Sequence, residues 1–218
     1  MHISINGVTL FYKKTGSGPA LILLHGNGED HRIFDAITEK LQARFTIYAV
    51  DSRNHGQSEK TGIYSYERMA EDIHACIREL DLGAVYIAGF SDGAIVALLL
   101  AMRHPESVRK MALLGVNLSP SDFTDHCYEY AKTTYEQTGD PLFKMMLEQP
   151  DIKLADVKNV ATPTLLVAAE KDLYKPELYP AMLKAMPNAE LKIMHGHKHE
   201  TYIVGQAFLA DDFIRFFA

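Results

Sequence analysis

The chain has 218 residues, a length that fits a single α/β domain. Hydrophobic residues make up 47% and charged residues 23%, ordinary globular values that exclude disorder and fibrous repeats. The 22 basic and 28 acidic side chains leave a formal charge of −6, and no Lys/Arg stripe breaks that balance, which argues against a nucleic-acid partner. The longest apolar runs, residues 20–24 and 94–102, fall far short of the ~20 residues of a membrane span. Residues 1–12 hold no apolar targeting core, and two cysteines, Cys76 and Cys127, are too few for a disulfide framework. A reducing, cytoplasmic setting is therefore the expectation.

In chain order, residues 1–5 and 8–12 read as strands around Asn6-Gly7, a pair that tolerates the positive φ of a tight hairpin. Residues 20–24 form a continuous apolar run, as expected for a strand buried on both faces. A helix over 33–43 precedes a strand at 45–50. Helical spacing of Met69, Ile73, Ile77 and Leu80 precedes a strand at 84–88. A helix over 93–103, closed by Pro105, leads to a strand at 111–114. Strands at 164–169 and 190–194 flank a helix over 177–185, and 204–217 reads as the last helix. Strands alternating with helices imply a mostly parallel sheet flanked by helices. Residues 119–159 break the rhythm. They hold two helical segments, near Asp125–Thr138 and Pro141–Glu148, and read as an inserted helical cap between core segments 1–118 and 160–218. The cap is placed over the sheet's C-terminal edge, where such sheets bind ligands.

Gly89-Phe90-Ser91-Asp92-Gly93 joins a buried strand to a helix. This is G-x-S-x-G in the context its chemistry requires. A sharp turn lifts the serine Oγ above the sheet, while the two glycines let strand and helix approach. Leu24-His25-Gly26-Asn27-Gly28 leaves the strand at 20–24, and an amide there, that of Asn27, could pair with the amide of Asp92 as an oxyanion hole. A serine nucleophile needs a base and the base an orienting acid. Of the aspartates after Ser91, Asp172 alone follows a buried strand through a short loop, with Glu170 as its rival; Asp51 also ends a strand but precedes the serine and reads as a turn residue. The base falls among His195, His197 and His199. Three alternating histidines also suit a metal, but no further ligand at metal spacing joins them beyond Glu200. His2, His31, His74 and His104 read as solvated or capping residues, and His126 as a candidate to face the pocket.

These motifs resemble those of the α/β-hydrolase superfamily, specifically its small serine hydrolases with a short cap. The resemblance covers nearly the whole chain outside the insertion. It rests on His25-Gly26-Asn27-Gly28, on Asp51-Ser52-Arg53-Asn54-His55-Gly56-Gln57-Ser58, on the Ser91 turn, on Glu170-Lys171-Asp172 and on Gly196-His197-Lys198-His199. Asn54 stands where the family usually has glycine, and Ala169 replaces the glycine of the segment that ends in the acid. The family's late x-G-x-x-H pattern selects His199 over His197. The resemblance implies a carboxylesterase-like enzyme cleaving small carboxylic esters through Ser91, His199 and Asp172, with the amides of Asn27 and Asp92 as oxyanion donors and no cofactor or metal. A carbon–carbon hydrolase or thioesterase would use the same triad, and a ligand receptor could keep the fold without turnover. Phe123, Tyr128, Tyr130, Tyr135, Phe143, Met145 and Met146 are available to line an acyl or alcohol pocket, or to pack the cap onto the core.

Overall fold

Asn6 and Gly7 take φ of 46° and 72° and close the first hairpin, between β1 (His2–Ile5) and β2 (Val8–Gly16). In this computed structural model, which describes residues 1–218, six further strands follow: β3 (Ala20–Leu24), β4 (Thr46–Val50), β5 (Val85–Phe90), β6 (Val108–Leu114), β7 (Thr164–Lys171) and β8 (Ala189–Lys198). Together they form one sheet in the order β1-β2-β4-β3-β5-β6-β7-β8. β2 is antiparallel to both β1 and β4, whereas β3 through β8 run parallel. The central strands are buried on both faces, which explains their unbroken apolar runs.

Helices cover both faces. On one side α1 (Asp35–Leu41) and α8 (Ala210–Phe217) pack over Leu21, Leu23, Ile47 and Ala88. On the other, α3 (Asp92–Arg103) lies against the sheet beneath α2 (Tyr66–Glu79), with α7 (Leu178–Ala185) in the same core. So placed, α3 is buried over nearly its whole length, from Asp92 to Ala101. No helix is long and apolar enough to cross a membrane.

The strand order sets where a ligand can sit. The connection from β3 runs to β4 on one side, and that from β5 runs to β6 on the other. Neighbouring strands whose connections diverge leave a crevice beyond their C-terminal ends. The ends of β3 and β5 carry Gly26-Asn27 and Ser91.

Several boundaries differ from the sequence expectation. β2 continues to Gly16 because Tyr12 through Gly16 pair with β4. β8 runs to Lys198 rather than stopping at 194, since Lys171 of a longer β7 pairs with Lys198 across an irregularity in register. The helix expected at 33–43 is a 3-10 turn, His31–Phe34, capped by the Asp30 side chain, followed by α1. The last helix starts at Ala210, not 204. Gly205 adopts φ of 64° and donates its N–H to Ile33 O at 2.9 Å, which holds 200–206 in turns. Within 119–159, α4 (Asp125–Thr138) and α5 (Pro141–Glu148) match the expected spans and pack on each other, whereas α6 (Leu154–Val157) packs on α7 and buries Val157 in the core.

Candidate active site

Ser91 sits between β5 and α3 with φ of 53° and ψ of −117°. Such a conformation costs a residue with a Cβ about 1–3 kcal/mol and persists only where neighbours impose it. They do so here: Ser91 N–H donates to Leu114 O at 2.8 Å, and Ser91 O accepts from Ala94 N at 2.9 Å. The flanking glycines are obligatory. A Cβ on Gly89 would collide with the carbonyl of Gly93, and one on Gly93 with the carbonyl of Leu24. The close approach of α3 to the ends of β3 and β5 therefore fixes the serine.

The residues proposed from sequence as acid and base are brought together. His199 Nδ1 lies 2.6 Å from Asp172 Oδ1, and both side chains are buried. Asp172 also accepts from Leu173 N at 2.8 Å, from Ala169 N at 3.0 Å and from the Tyr179 hydroxyl at 3.2 Å. Burial opposes its ionisation, but the His199 bond and charge and the two amides outweigh that and hold the carboxyl below its ordinary range. His199 Nε2 is buried with no hydrogen-bond partner. Because Nδ1 donates to the carboxylate, Nε2 is the basic nitrogen. The ring packs against Phe90, the residue before Ser91, at 4.9 Å and edge-on against Tyr174 at 5.5 Å. It also rests on Gly115, where an added Cβ would lie 2.5 Å from Cε1.

The rival residues point elsewhere. Glu170 is half exposed, accepts from Gly196 N at 2.6 Å and stands 3.7 Å from His195. His195 is exposed, and His197 Nδ1 meets Thr201 Oγ1 at 3.1 Å. β8 ends at Lys198, so His199 leaves the strand while His195 and His197 stay on it with partners of their own, and the three rings do not converge on one ion.

Asn27 and Asp92 also meet. Asn27 Nδ2 donates to Asp92 Oδ2 at 3.0 Å and to Leu142 O of α5 at 3.3 Å. Tyr66 Oη donates to the other Asp92 oxygen at 2.8 Å. Burial raises the Asp92 carboxyl above its usual range, and these two donors work against that shift. The backbone N–H of Asn27 has no acceptor in the protein. That of Asp92, at the first position of α3, has no preceding helical turn to bond. Both proposed oxyanion donors are thus unspent.

Beneath them, His25 Nδ1 donates to Gly26 O at 2.8 Å and Nε2 accepts from Ser52 N at 3.0 Å. Complete burial, with His55 nearby, pulls its pKa down to about 4, so the ring is neutral. Asp51 serves the turn as expected: its carboxylate accepts from His31 N, His31 Nδ1 and Gln57 N at 2.7, 2.8 and 2.8 Å. This places His31 inside the molecule rather than in solvent. Asn54 keeps the left-handed φ, 68°, that a glycine would adopt.

Sequence reasoning missed four features: Gly115 beneath His199, Tyr174 beside Ser91 and His199, the Tyr66–Asp92 bond, and Glu29. Tyr174 was reachable, being two residues past the acid. It pairs with Phe123 at the start of the cap, while Thr124 N bonds Leu173 O and Lys175 N bonds Asp122 O, so the acid's loop is stitched to the cap. Of the cap residues available to line a pocket, Phe123 is buried against Tyr174 at 5.2 Å and Met145 is in the core, whereas Tyr128 and Tyr130 are exposed. His126 is exposed.

The profile of the alpha/beta hydrolase fold family matches residues 19–144. The 2-(acetamidomethylene)succinate hydrolase of Mesorhizobium japonicum is 30% identical over 179 residues, covering 80% of this chain and 61% of that protein. The chain spans less than two thirds of the length of several such relatives, 41% in the case of a Bacillus subtilis hydrolase 31% identical to it. A meta-cleavage product hydrolase from Pseudomonas fluorescens IP01 superposes with a TM-score of 0.83 at 20% identity, covering 100% of this chain and 97% of that one. A thermophilic esterase from Thermogutta terrifontis superposes with a TM-score of 0.79 at 18% identity, covering 100% and 98%.

Proposed function

The chain belongs to the alpha/beta hydrolase fold family, and on that premise we propose that it is a serine hydrolase cleaving small carboxylic esters. The observation that carries the reading is the His199 ring. Its Nδ1 is held by a buried carboxylate, and its unpartnered Nε2 is buried beside the strained Ser91 turn. A basic nitrogen left without a donor in a buried site costs stability. The cost is recovered when Nε2 accepts the serine proton.

In this mechanism Ser91 Oγ attacks the ester carbonyl as His199 Nε2 takes its proton. The negative charge that develops on the carbonyl oxygen meets the N–H groups of Asn27 and Asp92. Loss of one such donor typically costs ~10²–10³ in rate. His199 then returns the proton to the leaving alcohol, freeing it and leaving an acyl-Ser91. Water, deprotonated by the same nitrogen, releases the acid. Asp172 holds the tautomer with hydrogen on Nδ1 and stabilises the imidazolium. The ring's contacts with Phe90, Tyr174 and Gly115 keep its plane fixed.

The test is hydrolysis of p-nitrophenyl esters from acetate to laurate by the wild type and Ser91→Ala, with labelling by a fluorophosphonate probe alongside. Turnover and labelling are expected in the wild type and lost in the variant. Retained turnover in Ser91→Ala would sink the mechanism. Labelling without ester turnover would keep the nucleophile and move the scissile bond to a thioester or a carbon–carbon bond.

A further inference from the structure

We propose that the Glu29 carboxylate, seated against Gly26 beside Ser91, selects substrates by charge, disfavouring esters that carry a carboxylate and favouring neutral or ammonium-bearing ones. The inference rests on the serine-hydrolase reading above and assigns that site a substrate class. Glu29 Oε2 accepts from Gly26 N at 2.9 Å. A Cβ built on Gly26 would lie 2.8 Å from that oxygen and 3.1 Å from Ser91 Cβ, so the carboxylate and the nucleophile flank one point. Asn27, whose amide is a proposed oxyanion donor, is the next residue.

What sets Glu29 apart is how little holds it. Asp30 pairs with Arg32, Asp72 with Arg53, Asp51 with His31 and Asp172 with His199. Asp92 takes two neutral donors. Glu29 receives one backbone amide and no ion pair. The titratable groups that face it are His199 just past β8, Asp92 from α3 and Asp30 from its own loop. Burial is the main influence and lifts the carboxyl to about 7, with Asp92 and Asp30 pushing the same way and the Gly26 amide and His199 pulling back. The charge beside the nucleophile therefore switches on across neutral pH. An uncompensated anion a few ångströms from the acyl group repels a substrate anion far more strongly than one in bulk water, because the intervening medium is largely protein.

The test uses three methyl esters of similar size: methyl pentanoate, monomethyl glutarate and methyl 4-(trimethylammonio)butanoate. Their kcat/KM values are measured from pH 5.5 to 9 for the wild type and Glu29→Gln, whose amide oxygen can still accept from Gly26 N. Any pH-dependent step common to the three esters cancels in the ratios. In the wild type the neutral-to-anionic ratio should rise about tenfold, with a midpoint near pH 7, while the cationic-to-neutral ratio rises in parallel. Both ratios should be flat in Glu29→Gln. If Glu29 only braces the loop, the substitution changes all three esters by one factor and the wild-type ratios do not move with pH, which overturns the inference while leaving the hydrolase reading intact. If the wild type turns over none of the three and no phosphonate labels Ser91, both fall together.

Discussion

Replacing Asp172 by Asn tests the proposed acid with almost no change of shape. Four donors converge on the carboxylate: His199 Nδ1 and Leu173 N on Oδ1, and Ala169 N and the Tyr179 hydroxyl on Oδ2. An amide can accept at only one end. With its oxygen toward His199, the –NH₂ faces the Ala169 N–H, donor against donor; the tautomer survives but the negative charge behind the imidazolium is gone. With its –NH₂ toward His199, the ring must turn its Nδ1 lone pair to the amide and carry its proton on Nε2, so it no longer accepts from Ser91, and Leu173 N loses its acceptor. Either way one buried amide goes unpaired, at a cost of about 1–3 kcal/mol. The reaction loses ~10⁴ in kcat, as such a substitution does in a comparable triad, equivalent to about 5 kcal/mol of transition-state stabilisation. The assay is kcat and kcat/KM on the best p-nitrophenyl ester, with urea unfolding of the same samples to show that the fold persists. Activity within tenfold of wild type in a folded Asp172→Asn protein would refute the assignment of Asp172 and the argument from its four donors.

Two further outcomes concern the scaffold. Arg53 and Asp72 form a buried bidentate pair, Nε–Oδ2 at 2.6 Å and a second nitrogen to Oδ1 at 2.8 Å, so Asp72→Ala strands a guanidinium and should cost about 3–5 kcal/mol, or a fall in Tm of roughly 6–20 °C. Calorimetry on that variant and on Arg53→Met/Asp72→Leu should find the double variant the more stable; a shift under 2 °C in Asp72→Ala would disprove the pairing's role. The neutral His25 gives a pH signature. Its folded pKa of about 4 lies below the ordinary 6.5, so the stability tied to the neutral ring is present above pH 6.5 and is lost as pH falls through 4, by about 3 kcal/mol in all. Glu29, raised to about 7, works in the opposite sense, with stability present below its ordinary 4.5 and lost as pH rises through 7. Denaturant unfolding from pH 4 to 9 in the wild type and Glu29→Gln should show the variant gaining relative stability as pH rises from 4.5 to 7, with a constant difference above that, and imidazole NMR should find one ring unprotonated down to about pH 4; a ring population titrating wholly near 6.5 would contradict the buried geometry of His25.

Local chemistry made much of this molecule legible in advance. Asn6-Gly7, the glycines around Ser91, the apolar runs of the central strands and the spans of α4 and α5 follow from backbone sterics and periodicity, which act over a few residues. The same locality explains the misplaced ends. Nothing near 194 signals that β8 continues; only pairing of Lys198 with Lys171, 27 residues away in sequence, extends it. Nor does 204–210 reveal that Gly205 bonds Ile33 across the molecule.

The sequence determined the alternation of strands and helices, the elbow that strains Ser91, and a short window of histidines and acids, because each is a short-range pattern. The tertiary structure decided which of them meet. It turned Asp172 rather than Glu170 toward His199, ended β8 at Lys198 so that His199 leaves the strand holding His195 and His197, cleared space for the imidazole at Gly115, and set Tyr66, Tyr174 and Glu29 around the serine. Those contacts join residues far apart in the chain, and their energies depend on burial and on the sum of neighbouring donors and charges, quantities that exist only once the sheet has brought the ends of its strands together.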